Sequence, residues 1–224
     1  MRKLTCLSIL LFAAAASADD NDKVQTAAQR TRSVNNLKMI GLAMHSYHDK
    51  FGSFPTAAIH DKDGKPLLSW RVAILPFLDQ EELYKQFKLD EPWDSEHNKK
   101  LLERMPKVYA PVRAQKDKKY DTFYRVFHGE GALFEGNKRI RLFDVTDGTS
   151  NTILVVEAGE AAPWTKPDEL AFDASKDLPK LGGLFDGNFN ALIADGSVRY
   201  FNKSADKGIL KKLITRAGGE VIQP

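Results

Sequence analysis

Two short segments concentrate oxygen-bearing side chains around a glycine: Asp144-Val145-Thr146-Asp147-Gly148-Thr149-Ser150-Asn151 and Ala194-Asp195-Gly196-Ser197. Carboxylates, hydroxyls and a tight turn are what a calcium loop is built from, so Asp144, Asp147 and Asp195 are candidate calcium ligands. Neither segment carries the full calcium-loop pattern. Asp-Gly pairs equally make plain turns between strands, the aspartate bonding nearby backbone and the glycine supplying positive φ. His45 and His48, three residues apart and next to Asp49, offer two nitrogens to a metal. Beside Met44 and Tyr47 the same two histidines also fit the edge of a buried helical stripe. Glu157 and Glu160, with Trp93 and Trp164, supply the paired carboxylates and stacking faces of a carbohydrate-cleaving cleft. No GxSxG, HExxH, GxxxxGK[ST] or helix-opening GxGxxG occurs, so no catalytic residue is assigned from a motif.

These residues need elements to position them. Val34, Leu37, Ile40, Met44, Tyr47 and Phe51 recur at three and four residues, which predicts one long helix over about 23–50, closed by Gly52, Ser53 and Pro55. Gly41 inside it weakens the helix unless close packing needs the missing side chain. After a turn at 61–66, the aromatic-rich stretch 67–87 is expected to break into two short helices at Pro76. A further helix is expected over 95–104, capped by Asp94 or Ser95. From Val108 the pattern turns to period two, predicting strands over 120–127, 132–134, 140–143, 152–157 and 192–201 in an antiparallel sheet. The stretch 163–183, with Pro167, Pro179 and two adjacent glycines, reads as a long excursion between strands, a common place for binding. Ile209, Leu210, Leu213 and Ile214 give a closing amphipathic helix over 206–217, ended by Gly218 and Gly219.

The N terminus reads as a cleavable export signal: basic Arg2 and Lys3, an apolar run from Leu7 to Ala16, and small residues Ala16 and Ala18 before Asp19. The run is too short to span a bilayer, no other stretch is long enough, and cleavage is expected after Ala18. Residues 19–224 then form one domain. Cys6, the only cysteine, lies before the apolar run, so the mature chain has no thiol for a disulfide or thiolate metal site. Removal of the two basic signal residues brings a net charge of +3 close to balance, which argues against nucleic-acid binding. The lysines at 116, 118 and 119 around Asp117 read as a solvated loop.

Taken together, the run Asn35 to His48 (NNLKMIGLAMHSYH), Phe51-Gly52-Ser53-Phe54-Pro55, Ser69-Trp70-Arg71-Val72 and Leu75-Pro76-Phe77-Leu78 resemble the bacterial family called domain of unknown function 1559. Asp147 to Ile153 followed by Glu157, and Ala194 to Arg199, extend that resemblance to the C-terminal half. The resemblance implies an α+β fold like type IV pilins and pseudopilins, a long N-terminal helix on an antiparallel sheet, with no established enzymatic activity in the family. It further implies an extracytoplasmic structural or interaction role, binding a cell-envelope protein or a polysaccharide, with no cofactor. Relatives usually begin with a prepilin segment and an apolar half-helix; here an export signal and polar residues 19–33 stand in its place. Where many relatives carry a histidine before the last Asp-Gly turn this chain has Phe185, and Ala110 replaces a cysteine often found before the proline at 111. The expectation is a released, non-enzymatic protein; the alternative is an exported carbohydrate-active hydrolase using Glu157 and Glu160.

Overall fold

A computed structural model describes residues 7–113, 115 and 119–219, with side chains from residue 24 onward. The expected signal, including Cys6 and the Ala18 cleavage site, and the lysines at 116 and 118 lie outside those described side chains. No described helix is long and apolar enough to cross a membrane.

The first helix, α1, spans Leu7–Phe51. Its expected stripe faces inward at Leu37, Ile40 and Met44, all fully buried. Phe51 departs from it: about half exposed, it packs on Tyr47 and Phe77 at the helix end. Gly41 has the predicted reason, because a Cβ there would lie 3.0 Å from Leu192 Cδ1. The missing side chain lets helix and sheet approach.

Next come β1 (Ala58–His60) and β2 (Pro66–Ser69), an antiparallel hairpin. The aromatic stretch is more broken than predicted: α2 (Trp70–Ala73), a 3₁₀ turn at Leu75–Leu78 and α3 (Glu81–Tyr84). Pro76 opens the 3₁₀ turn, where its missing N–H costs nothing. The helix expected over 95–104 is instead a 3₁₀ segment, Asn98–Arg104. Its N-cap position is His97 rather than Asp94 or Ser95, although Ser95 Oγ accepts from Asn98 N at 3.0 Å, and the Asn98 side chain is drawn inward, its Nδ2 donating to three carbonyls.

The main sheet holds β3 (Asp121–Arg125), β5 (Ile153–Pro163), β7 (Phe189–Ile193) and β8 (Val198–Phe201) in the order β3-β5-β7-β8, all antiparallel. Two two-residue strands, β4 (Phe127–His128) and β6 (Leu170–Ala171), pair in parallel beside it. β6 therefore lies inside the predicted excursion. Residues 132–134 make only isolated bridges, and 140–143 run into a 3₁₀ turn at Leu142–Asp144 rather than forming strands. The single strand expected over 192–201 is the β7–β8 hairpin, turned at Asp195 and Gly196. The helix α4 (Lys207–Ile214) closes the chain, with Asp206 accepting from Ile209 N at 2.8 Å as its cap.

Alternation along β7 explains the layering. Leu192 and Ala194 join the core under α1, while Phe189, Ala191 and Ile193 join the cluster under α4. The sheet is thus covered on both faces, which is why every residue of β7 is buried despite period-two geometry.

The segment just after α4 is clamped to the body. Arg216 pairs with Glu135 at 2.6 Å and donates to the Ala132 carbonyl, and Lys138 also reaches Glu135. These donors hold the Glu135 carboxyl down at about 2. A depressed carboxyl stabilises the fold above its ordinary unfolded value and loses that contribution as pH falls towards the folded one. Glu135→Gln is therefore expected to be less stable than the parent at pH 6 and equal to it near pH 2, by urea unfolding; a deficit unchanged across that range would refute the pairing.

Candidate functional site

The residues singled out for chemistry scatter. Asp144 is taken up by Arg141, accepting from its backbone N at 2.8 Å and pairing with its guanidinium at 3.0 Å. Asp147 accepts from Gly218 N and Gly219 N at 2.6 and 2.8 Å, and so holds the segment after α4. Asp195 accepts from Ser197 N in the β7–β8 turn. Asp144 and Asp195 serve local backbone and Asp147 returning backbone, and no grouping of three His, Cys, Asp or Glu able to hold a metal is found among the described residues. His48 Nε2 accepts from Leu142 N at 3.2 Å, and both His45 and His48 lie against the Phe54 ring. They edge the core rather than face each other across a site.

Glu157 and Glu160 do not converge. The register of β5 against β3 breaks between them, and their burial differs: Glu160 is exposed, while Glu157 is fully buried beneath α1. Trp164 is also fully buried, stacked on Tyr109 and edge-on to Phe87, so it offers no face to a sugar. Phe185 is buried too, between the guanidiniums of Arg30 and Arg113.

Two buried polar constellations position the frame. In the first, Glu157 accepts from Ser33 Oγ and from Asn190 N at 2.6 Å and Nδ2 at 3.2 Å. Ser33 Oγ in turn meets Tyr124 OH at 2.7 Å, which accepts from Asn36 Nδ2. This fastens α1 to β3, β5 and β7. Burial pushes the Glu157 carboxyl above its ordinary value, against the opposing pull of these donors and of Arg30. In the second, Arg71 is fully buried, its Nε and Nη1 donating to the carbonyls of Trp164 and Tyr124, and Nη2 lying 2.9 Å from Glu169 Oε1. Glu169 Oε2 accepts from Val126 N, and Tyr109 OH donates to the Arg71 carbonyl. Arg71 thereby ties α2, β3 and the start of the excursion into one unit. Neither set was singled out as a site from sequence, although Arg71 stands in the quoted Ser-Trp-Arg-Val motif.

Two of the clefts open to solvent gather polar or charged side chains. One, of about 500 Å³, brings together His60, His128, Asn137, Asp168 and Glu169. Its carboxylates are committed, Glu169 to Arg71 and Asp168 to Arg125 and Lys166. Burial, and to a lesser degree the neighbouring His128, hold the His60 imidazole below its usual value. The other, of about 430 Å³, opens where the excursion's return meets β7 and α4. Leu178, Leu181, Phe189 and Leu210 line it with apolar surface, and Lys180, Lys203 and Lys207 are exposed along it. Its wall is a glycine-rich return against β5: a Cβ at Gly183 would fall 2.1 Å from the Gly159 carbonyl oxygen, so only glycine permits this approach.

Fold and site together define an α+β domain with an antiparallel sheet covered on both faces and a lysine-rimmed cleft on the α4 side. The chain belongs to the domain of unknown function 1559 family: the family profile, described as a protein of unknown function, matches residues 23–125 and 109–183. No curated protein and no solved structure matches the chain.

Proposed function

We propose that this is an exported, pilin-like protein without catalytic activity that acts by binding a protein or polysaccharide partner outside the cytoplasm. The observation that carries the reading is α1 lying along the antiparallel sheet, fastened through Ser33, Tyr124 and Glu157, as the helix of a pilin-like fold would be. The sequence contributes the export signal and the polar stretch that replaces an assembly helix. A helix so exposed to solvent at Met39 and Leu42 keeps apolar surface for a partner. The alternative hydrolase loses its support, since Glu157 is enclosed and Glu160 is not beside it.

The test is expression of the full chain in a bacterial host, with fractionation and intact-mass measurement, followed by sedimentation of the purified product. The reading expects an exported species beginning at Asp19 that sediments as a monomer or small oligomer. Cytoplasmic retention of the uncleaved chain, or long homopolymers without a partner, would overturn it.

A further inference from the structure

We propose that the cleft beside α4 is a binding site for a small amphiphilic carboxylate: one anionic head on an apolar body the size of a short acyl chain or a single ring. The inference goes beyond the proposed function and does not rest on it, because the cleft lies on the opposite face of the sheet from α1.

The size is right for a small molecule, since such pockets run from about 300 Å³ upward and this one is about 430 Å³. The floor is aliphatic. Leu178, Leu181 and Ala205 are partly buried members of the α4 cluster that still border the opening, with Leu210 and Phe189 beneath. The charge is at the rim, and it is unspent. Elsewhere on the surface Lys85, Lys88, Lys100, Lys138 and Lys176 each sit within ion-pair distance of a carboxylate three or four residues away. The ammonium groups of Lys180, Lys203 and Lys207 have no ion pair or hydrogen bond among the described residues, and the one acidic group lining the cleft is Asp186.

Three lysines against one aspartate leave a positive rim, and ammonium groups on flexible stems act as point charges suited to a compact anionic head. The lining residues argue against a saccharide. Its one aromatic ring, Phe189, is buried and stacked on Phe201 at 5.1 Å, so no ring face is open to a sugar. An aliphatic floor under a cationic rim instead matches a molecule that is apolar at one end and charged at the other. Floor and rim are each assembled from separate parts of the chain, Leu178 to Leu181 from the excursion and Lys203 to Leu210 from the β8–α4 connection, so the site exists only in the folded protein.

The experiment is titration calorimetry on the purified protein with octanoate, and with octanol, acetate and trigalacturonate under the same conditions. Octanoate is expected to bind, more weakly as salt rises. Octanol and acetate are each expected to bind at least about tenfold more weakly. The Lys203→Gln/Lys207→Gln variant is expected to lose about tenfold in octanoate affinity with its melting curve unchanged, since both side chains are exposed. The proposal is overturned by absence of octanoate binding, by octanol binding as well as octanoate, by an unaffected lysine variant, or by trigalacturonate binding more tightly, which would make the cleft an acidic-glycan site.

Discussion

Arg71→Ala is expected to lower the unfolding free energy by about 3–5 kcal/mol, the largest effect of any single substitution away from the apolar core. The guanidinium is fully buried and meets the carbonyls of Trp164, Tyr124 and Lys166 as well as the Glu169 carboxylate, whose side chain is 5% exposed. Its loss takes a donor from all three carbonyls, of which that of Lys166 keeps a backbone partner in Asp168 N, and leaves a buried carboxylate without its counter-ion. Burial already pushes the Glu169 carboxyl up, and removal of Arg71 takes away the chief opposing charge. A carboxyl raised in the folded state contributes stability at low pH that is lost as pH rises through its folded value. The deficit of Arg71→Ala relative to the parent should therefore grow between pH 5 and pH 8. Arg71→Met/Glu169→Met should recover part of the loss, because two well-packed apolar groups leave no stranded charge. Urea unfolding of the parent and the two variants at both pH values checks this. A loss below about 1 kcal/mol for Arg71→Ala would show that the pair does not hold the excursion to the sheet.

The second large effect is expected at Glu157. Glu157→Ala strands the buried donors Asn190 N and Nδ2, at about 1–3 kcal/mol each when left without a partner, and cuts the link from Ser33 Oγ to β5. Since Ser33 lies on α1, the helix is where the damage should appear, as faster amide exchange over 26–45 than in α4. Glu157→Gln should cost less, although its amide NH₂ must face one of those donors. The pH behaviour separates the two roles of this carboxyl: being raised by burial, it favours the fold at low pH and loses that contribution as pH climbs past its folded value. Glu157→Gln should remove this slope. Uniform exchange across α1 and α4 in Glu157→Ala would mean that the network does not fasten the helix.

Much of the frame was legible in the chain. The apolar spacing from Val34 to Met44 located the inner face of α1, and Gly41 sits where a helix meets Leu192 closely. The stripe Leu210, Leu213 and Ile214 located α4, and the excursion was marked by its prolines and glycines. Short elements fared worse. Residues 140–143 alternate like a strand, yet Arg141 and Asp144 close a capping box on a 3₁₀ turn, a local ionic preference that outweighs the pattern. At 95–104 a capped helix was expected, but Asn98 Nδ2 bonds to carbonyls of residues 88, 91 and 92, a set of contacts that no local pattern announces.

Candidate chemistry was least legible, because residue type says nothing about burial. Glu157 and Trp164 look like a cleft's carboxylate and platform, and both are enclosed. Asp144, Asp147 and Asp195 look like ligands, and each binds nearby or returning backbone. The cleft lysines gave no signal, lying in separate turns whose side chains converge only once α4 packs on the sheet.

By itself, then, the sequence determined the periodic elements, the family and the α+β class, because periodicity and capping act over a few residues at a time. Which carboxylates became internal ties and which cations stayed free was decided by tertiary structure alone. Those fates depend on the cover that α1 and α4 give the two faces of one sheet, and on donors brought from positions as distant as Ser33 and Asn190 to a single carboxylate.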